Sequence, residues 1–134
     1  METITLENDI KVFCVTADSF PEGNMEAYKK LNEIIPLSSV KRIFGLSRPE
    51  NGIIVYKAAA EVNDTGEAEK KISDALVIKK GNYISRNIHD YMKDLPAIGK
   101  VFKELLSNPG IDPEGYCVEW YVSEKEVKCM VRLA

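Results

Sequence analysis

The feature that most restricts this chain is an order of signals that occurs twice. Residues 10–17, Ile-Lys-Val-Phe-Cys-Val-Thr-Ala, are rich in β-branched and aromatic types and read as a strand. A turn-rich stretch over 18–24 follows, with Asn24 placed to cap a helix. Over 25–35, Met25, Tyr28, Leu31, Asn32 and Ile35 share one face at helical spacing, while Glu26, Lys29, Lys30 and Glu33 take the other. Pro36 ends the helix. Residues 42–47 and 52–62 then read as strands, with Arg48-Pro49-Glu50-Asn51-Gly52 as the turn that makes them a hairpin.

The second half repeats the order. Residues 75–89 are strand-like, with a bend or bulge at Gly81-Asn82. Asp94 and Pro96 supply a cap and a first turn. Ile98, Val101, Phe102, Leu105 and Leu106 form an apolar helical stripe, which Asn108-Pro109-Gly110 stops. Residues 116–122 and 127–133 are strands around a turn at 123–126. Tyr28-Lys29-Lys30-Leu31 overlays Phe102-Lys103-Glu104-Leu105 at an offset of 74, and Ile43–Leu46 overlays Val118–Tyr121 at an offset of 75. That second offset sets Glu119 over Phe44. Identity between the halves is weak, and the order of elements carries the repeat.

The expected fold is therefore α+β. Two β-α-β-β repeats, about 2–62 and 75–133, form one domain over 1–134, with the polar stretch 63–74 as a seam. One helix on three strands is a thin unit. Two units side by side give an antiparallel sheet with both helices on one face. The other face is left for a ligand cleft.

Composition excludes several functions. With 18 basic and 21 acidic residues the net charge is -3, a poor footprint for direct nucleic-acid binding. No apolar run approaches the ~20 residues that span a bilayer, and the N-terminus lacks the marks of a signal peptide, so the expected location is cytoplasmic. Cys14, Cys117 and Cys129 lie at wide spacing without a Cys-x-x-Cys, and His89 is the single histidine, so neither a metal nor a cofactor is expected. Phosphate-loop and Gly-x-Ser-x-Gly motifs are absent, and a Ser/His/Asp triad has only His89 for its base. No catalytic residue is assigned.

The strand Tyr116-Cys117-Val118-Glu119-Trp120-Tyr121-Val122 carries the most information. Alternation puts Glu119 and Tyr121 on one face and Val118 and Trp120 on the other. A carboxylate inside an apolar strand is costly unless solvated or paired. Glu119 is then either an exposed acid opposite a lysine such as Lys128, or a pocket carboxylate. The aromatics Phe44, Tyr56, Tyr83, Tyr91, Trp120 and Tyr121 read as core packing or as pocket wall. A carboxylate beside aromatic faces suits an organic cation. His89 by itself reads as a structural or surface residue.

Several of these segments together resemble the GyrI-like family, the effector-binding domains also found fused to AraC-type and MerR-type regulators. Ile43-Phe44-Gly45-Leu46 resembles its aromatic-Gly-aliphatic strand, and residues 55–62 resemble its tyrosine-bearing strand. Gly81-Asn82-Tyr83 with the later His89 resembles its Gly-x-Tyr and His. Residues 116–121 resemble its Glu-x-Tyr strand, and Val131-Arg132-Leu133 its closing strand. The resemblance runs from about Ile10 to Leu133.

It implies two SHS2-type repeats and a stand-alone, regulator-related effector-binding domain. Glu119 would be the pocket carboxylate, with Phe44, Tyr56, Trp120 and Tyr121 as walls and Tyr83 and His89 in the ligand-binding set. The expected partner is a hydrophobic, aromatic or cationic small molecule. No helix-turn-helix segment is seen. Two other functions stay open: a small hydrolase of reactive electrophiles using Glu119 as base, and a protein-interaction or inhibitor module with a protein partner.

Overall fold

The computed structural model describes residues 1–134. Eight strands form one antiparallel sheet: β1 Glu2–Leu6, β2 Ile10–Thr16, β3 Val40–Glu50, β4 Ile53–Val62, β5 Ala75–Ile78, β6 Gly81–His89, β7 Cys117–Tyr121 and β8 Glu126–Arg132. Three helices accompany them: α1 Asn24–Ile34, the short α2 Thr65–Glu69 and α3 Pro96–Leu106. Single 3-10 turns lie at Leu37–Ser39 and Tyr91–Lys93. The architecture is α+β as the repeat requires, with β2-α1-β3-β4 answered by β6-α3-β7-β8.

Local chemistry explains most boundaries. The β3–β4 hairpin closes on Asn51 and Gly52, both at positive φ (53° and 80°), which is what a two-residue hairpin turn demands. Pro96 opens α3 at a position where a missing N–H costs nothing. Asp64 accepts from the Glu67 N–H and starts α2, a helix the polar composition of 63–74 does not announce. Two expected caps are corrected. Asn24 lies inside α1 with Gly23 as its cap residue, and Leu95 rather than Asp94 precedes Pro96.

The strand order is β1-β6-β8-β7-β3-β4-β2-β5. The two halves meet at the β3–β7 ladder, where Phe44 faces Trp120, Gly45 faces Glu119 and Leu46 faces Val118 across the strands. Residues 75–89 are two strands rather than one bent strand. β5 pairs with β2 at one end of the order, whereas β6 pairs with β1 and β8 near the other. Only Lys79 and Lys80 join them.

That short link bends the whole sheet. Six inter-strand gaps laid flat would cover about 29 Å, since strands lie about 4.8 Å apart. Three Cα steps from Ile78 to Gly81 reach at most about 11 Å. The sheet must therefore curl into a half-barrel that brings its ends together. The Lys80 N–H donates to the Asp9 carboxylate across the gap at 2.8 Å.

Curling gives the faces different roles. The inner face closes on Ile10, Val12, Cys14, Phe44, Leu46, Ala59, Ile78, Tyr83, Val118 and Met130, drawn from both ends of the order. The outer face carries the helices over two separate cores. α1 seats Ala27 and Leu31 on Phe13, Ala58 and Ala60, and α3 seats Val101, Phe102 and Leu105 on Ile84, Val127, Cys129 and Val131. Between them runs the strip above the β3–β7 ladder.

Leu31 is fully buried and Leu106 is 47% exposed, although both lie on apolar helical stripes. Leu31→Ala is expected to cost about 2–5 kcal/mol in urea denaturation. Leu106→Ala should stay within about 0.5 kcal/mol of wild type.

Candidate functional site

Above the β3–β7 ladder a carboxylate is buried among phenols. Glu119 is 6% exposed. Its Oε1 accepts from the Tyr56 hydroxyl at 2.9 Å and from the Tyr121 hydroxyl at 2.5 Å. The Tyr28 hydroxyl, reaching down from α1, lies 2.7 Å from that of Tyr56 and 3.1 Å from the Phe44 carbonyl. Each phenol has one proton to give. With Tyr56 donating to Glu119, the short contact is satisfied by Tyr28 donating to Tyr56, a relay that ends on the carboxylate.

No ion pair in the chain includes Glu119. Oε2 takes no hydrogen bond from the chain, although Oε1 takes two. Burial therefore dominates and holds the carboxyl above its ordinary value of 4.5, while the Tyr121 and Tyr56 hydrogen bonds pull it part of the way back. Burial also raises the hydroxyls of Tyr28, Tyr56 and Tyr121, so they remain neutral donors.

A row of aromatic rings runs through the two donors. Phe20 stacks on Tyr56 at 5.8 Å between centroids. Tyr28 meets Tyr56 and Tyr121 edge-on at 6.1 and 5.9 Å. Tyr91 meets Tyr121 at 5.3 Å. Phe20, Met25, Met92 and Leu95, in the segments that open into the two helices, are exposed apolar side chains.

Gly45 makes the cluster fit. A β-carbon there would lie 2.2 Å from the Tyr56 hydroxyl, 2.7 Å from that of Tyr28 and 2.8 Å from Glu119 Oε1. Only a residue without a side chain can sit beneath these three oxygens.

The candidate residues named from sequence fall on two sides of the sheet. Glu119, Tyr121 and Tyr56 share the helix side. Phe44 and Trp120 point to the inner face, where their rings pack at 6.1 Å, and Tyr83 points there too and donates to the Lys79 carbonyl at 2.6 Å. His89, at the end of β6, has a side chain 76% exposed that pairs with Glu126 at 3.2 Å. The inner face does hold a cleft, of about 340 Å³ at one mouth of the half-barrel, but Glu119 does not border it.

Two sequence readings of Glu119 are corrected. It does not oppose Lys128, which pairs with Trp120 in register and lies 3.7 Å from Glu2. Across the ladder it faces Gly45, and the repeat offset of 75 that set it over Phe44 gives way to 74. The two-fold relation of the ladder carries Gly45 onto Glu119 and Phe44 onto Val118, an offset of 74 that matches the helices.

Tyr28, Phe20 and Gly45 belong to the cluster and were not assigned to it from sequence, whereas Tyr91, read as core packing or pocket wall, joins it through Tyr121. Tyr28 carried a usable signal, since a tyrosine on the buried stripe of a helix needs a partner for its hydroxyl. No group of three His, Cys, Asp or Glu side chains is placed to hold a metal.

No family model and no curated protein matches this chain. Solved structures do. An integron cassette protein from the mobile metagenome of Vibrio cholerae superposes with a TM-score of 0.70 at 11% identity, covering 99% of this chain and 95% of that one. The protein SAV2435, solved bound to tetraphenylphosphonium, gives 0.66 at 9% identity over 99% and 93%. A hydrolase from Listeria innocua gives 0.58 at 9% identity over 99% and 90%, and a candidate transcription regulation protein from Staphylococcus aureus MU50 gives 0.53 at 13% over 98% and 97%. At these identities the likeness is one of fold, and the fold is compatible with the GyrI-like one.

Gly45→Ala is expected to destabilise the protein by about 1–3 kcal/mol through overpacking, read as a lower urea midpoint. Adding Tyr56→Phe should recover part of that loss, because it removes the nearest clashing oxygen. The Glu119 carboxyl offers a pH test. Its folded pKa lies above the unfolded one, so its contribution to stability is complete below the ordinary value of 4.5 and is lost as pH rises through the folded value. Glu119→Gln keeps an acceptor and removes the charge. Its melting temperature relative to wild type should rise between about pH 4 and pH 7. A difference that does not change with pH would contradict a buried, titrating Glu119.

Proposed function

We propose that this chain is a small-molecule-binding domain of the GyrI-like kind, and that it takes a hydrophobic organic cation against Glu119. One observation carries this reading: a buried carboxylate with two phenolic donors on a single oxygen and no cationic partner, the donors belonging to a row of five contacting aromatic rings. A delocalised cation would supply the missing counter-charge, and ring faces favour it further. The exposed Phe20, stacked on Tyr56, offers apolar contact beside the site. The structural neighbour solved with tetraphenylphosphonium supports the ligand class, and the regulator-like neighbour supports an effector-binding role.

Tetraphenylphosphonium is the probe for a calorimetric titration. Wild type should bind it, and Glu119→Gln should weaken binding by about tenfold or more, the range set by losing one charged partner in a buried site. Wild-type affinity should fall as the pH drops through the Glu119 titration, because the carboxylate is the binding form. Equal affinity in Glu119→Gln would sink this reading.

A second reading rests on the buried position of Glu119, which raises its pKa and with it the basicity a general base toward water needs. The hydrolase among the neighbours supports it as a class. It predicts turnover of a reactive ester such as p-nitrophenyl acetate that vanishes in Glu119→Gln. Turnover that persists in that variant counts against it. The hydrogen-bond partners of Glu119 are all tyrosines, with no second acid to protonate a leaving group, so binding is the better supported role.

A further inference from the structure

We propose that the cleft on the inner face is a second, separate ligand site, built for a small amphiphilic carboxylate. Its volume of about 340 Å³ falls in the lower part of the range for ligand pockets, about 300–1,000 Å³. The floor is apolar: Leu46, Val118 and Ile78 with the ring of Tyr83. β5 forms one wall, and the loop carrying Asp112 to Tyr116 forms the other.

That loop is held in place. The Asp112 N–H donates to the Arg132 carbonyl at 2.9 Å, its Oδ1 accepts from the Glu114 N–H at 2.9 Å, and its carbonyl accepts from the Gly115 N–H at 3.1 Å. The second carboxylate oxygen takes Arg132 at 3.3 Å, and Arg132 also donates to the Lys80 carbonyl at 3.0 Å. Arg132 and Asp112 therefore neutralise each other and brace the mouth.

The remaining charges choose the ligand. The Arg48 Cζ lies over the Tyr116 ring, 4.3 Å from its centroid. Its other contacts are long, 3.4 Å to the Glu114 carbonyl and 3.9 Å to Glu50. Lys79 is exposed and has no ion-pair partner. Against them the lining sets one uncommitted acid, Glu114, which is exposed. In a chain of net charge -3 this mouth is locally basic. An apolar tail on the floor with its carboxylate at Arg48 and Lys79 satisfies both features, whereas a cation meets two like charges at the rim.

The site differs from that of Glu119 in place and in ligand charge, so the two succeed or fail independently. The test is calorimetric titration of decanoate, decanol and decylamine, kept below their micellar concentrations. Decanoate should bind at least about tenfold more tightly than decanol or decylamine, as expected when a charge-assisted hydrogen bond decides affinity. Arg48→Glu with Lys79→Glu alters two surface positions and should weaken decanoate by about tenfold or more. The same variant should bind tetraphenylphosphonium as wild type does, and saturating tetraphenylphosphonium should leave decanoate affinity unchanged. Decanol or decylamine binding as tightly as decanoate overturns the proposal, as does a charge-reversed variant with wild-type decanoate affinity. Competition between decanoate and tetraphenylphosphonium overturns it too, since it would place both ligands in one site.

Discussion

The β3–β7 ladder is the contact on which the rest of this molecule depends. It is the sole pairing between the two β-α-β-β halves at the centre of the sheet, with Ile43 to Ser47 lying against Tyr121 to Cys117. Remove it and each half is one helix on a few strands, too thin to cover its own apolar surface. The same pairing sets Gly45 beside Glu119, which positions the carboxylate, and separates α1 from α3, which leaves the strip above it to aromatic rings rather than to a helix.

Glu119 is a destabilising choice for such a position. A buried carboxylate without a cation loses its hydration and recovers only what two phenols return. A leucine there would avoid that loss but leave the Tyr56 and Tyr121 hydroxyls without their acceptor. Gly45 is also costly in a central strand, because it has no side chain to pack and more backbone freedom to lose. Together they make room for the Tyr28 and Tyr56 hydroxyls and the Glu119 carboxylate oxygen above one backbone position. Departures from the packing optimum at two facing residues are the pattern expected where stability is exchanged for a site, the reading proposed for Glu119.

Much of this was legible from the chain alone. Leu31 and Leu105 declared their helices by spacing, and Asn51-Gly52 declared its turn by the φ values only such residues adopt easily. Alternation set Glu119 and Tyr121 together against Val118 and Trp120. What alternation could not say was which of those faces lies under the helices. Phe44, Trp120 and Tyr83 are as aromatic as Tyr28, Tyr56 and Tyr121, yet the first three fill the half-barrel and the last three surround the acid. β1 and the separate strands β5 and β6 were not distinguished either, because a short strand at a sheet end is defined by its partner and not by its own residues.

The sequence by itself determined the order of elements, the α+β class and the presence of an acid in an apolar strand. Each follows from interactions between residues a few positions apart, where periodicity and turn chemistry act. Tertiary structure decided the register of β3 on β7, the curl imposed by the two-residue link between β5 and β6, and hence the face on which each aromatic lies. Those are contacts between residues some 75 positions apart, and a one-residue change of register exchanges the two faces of a strand. Glu119 became the centre of a tyrosine cluster because the ladder placed it opposite a glycine and beneath Tyr28 of α1, a meeting that no local pattern in the chain records.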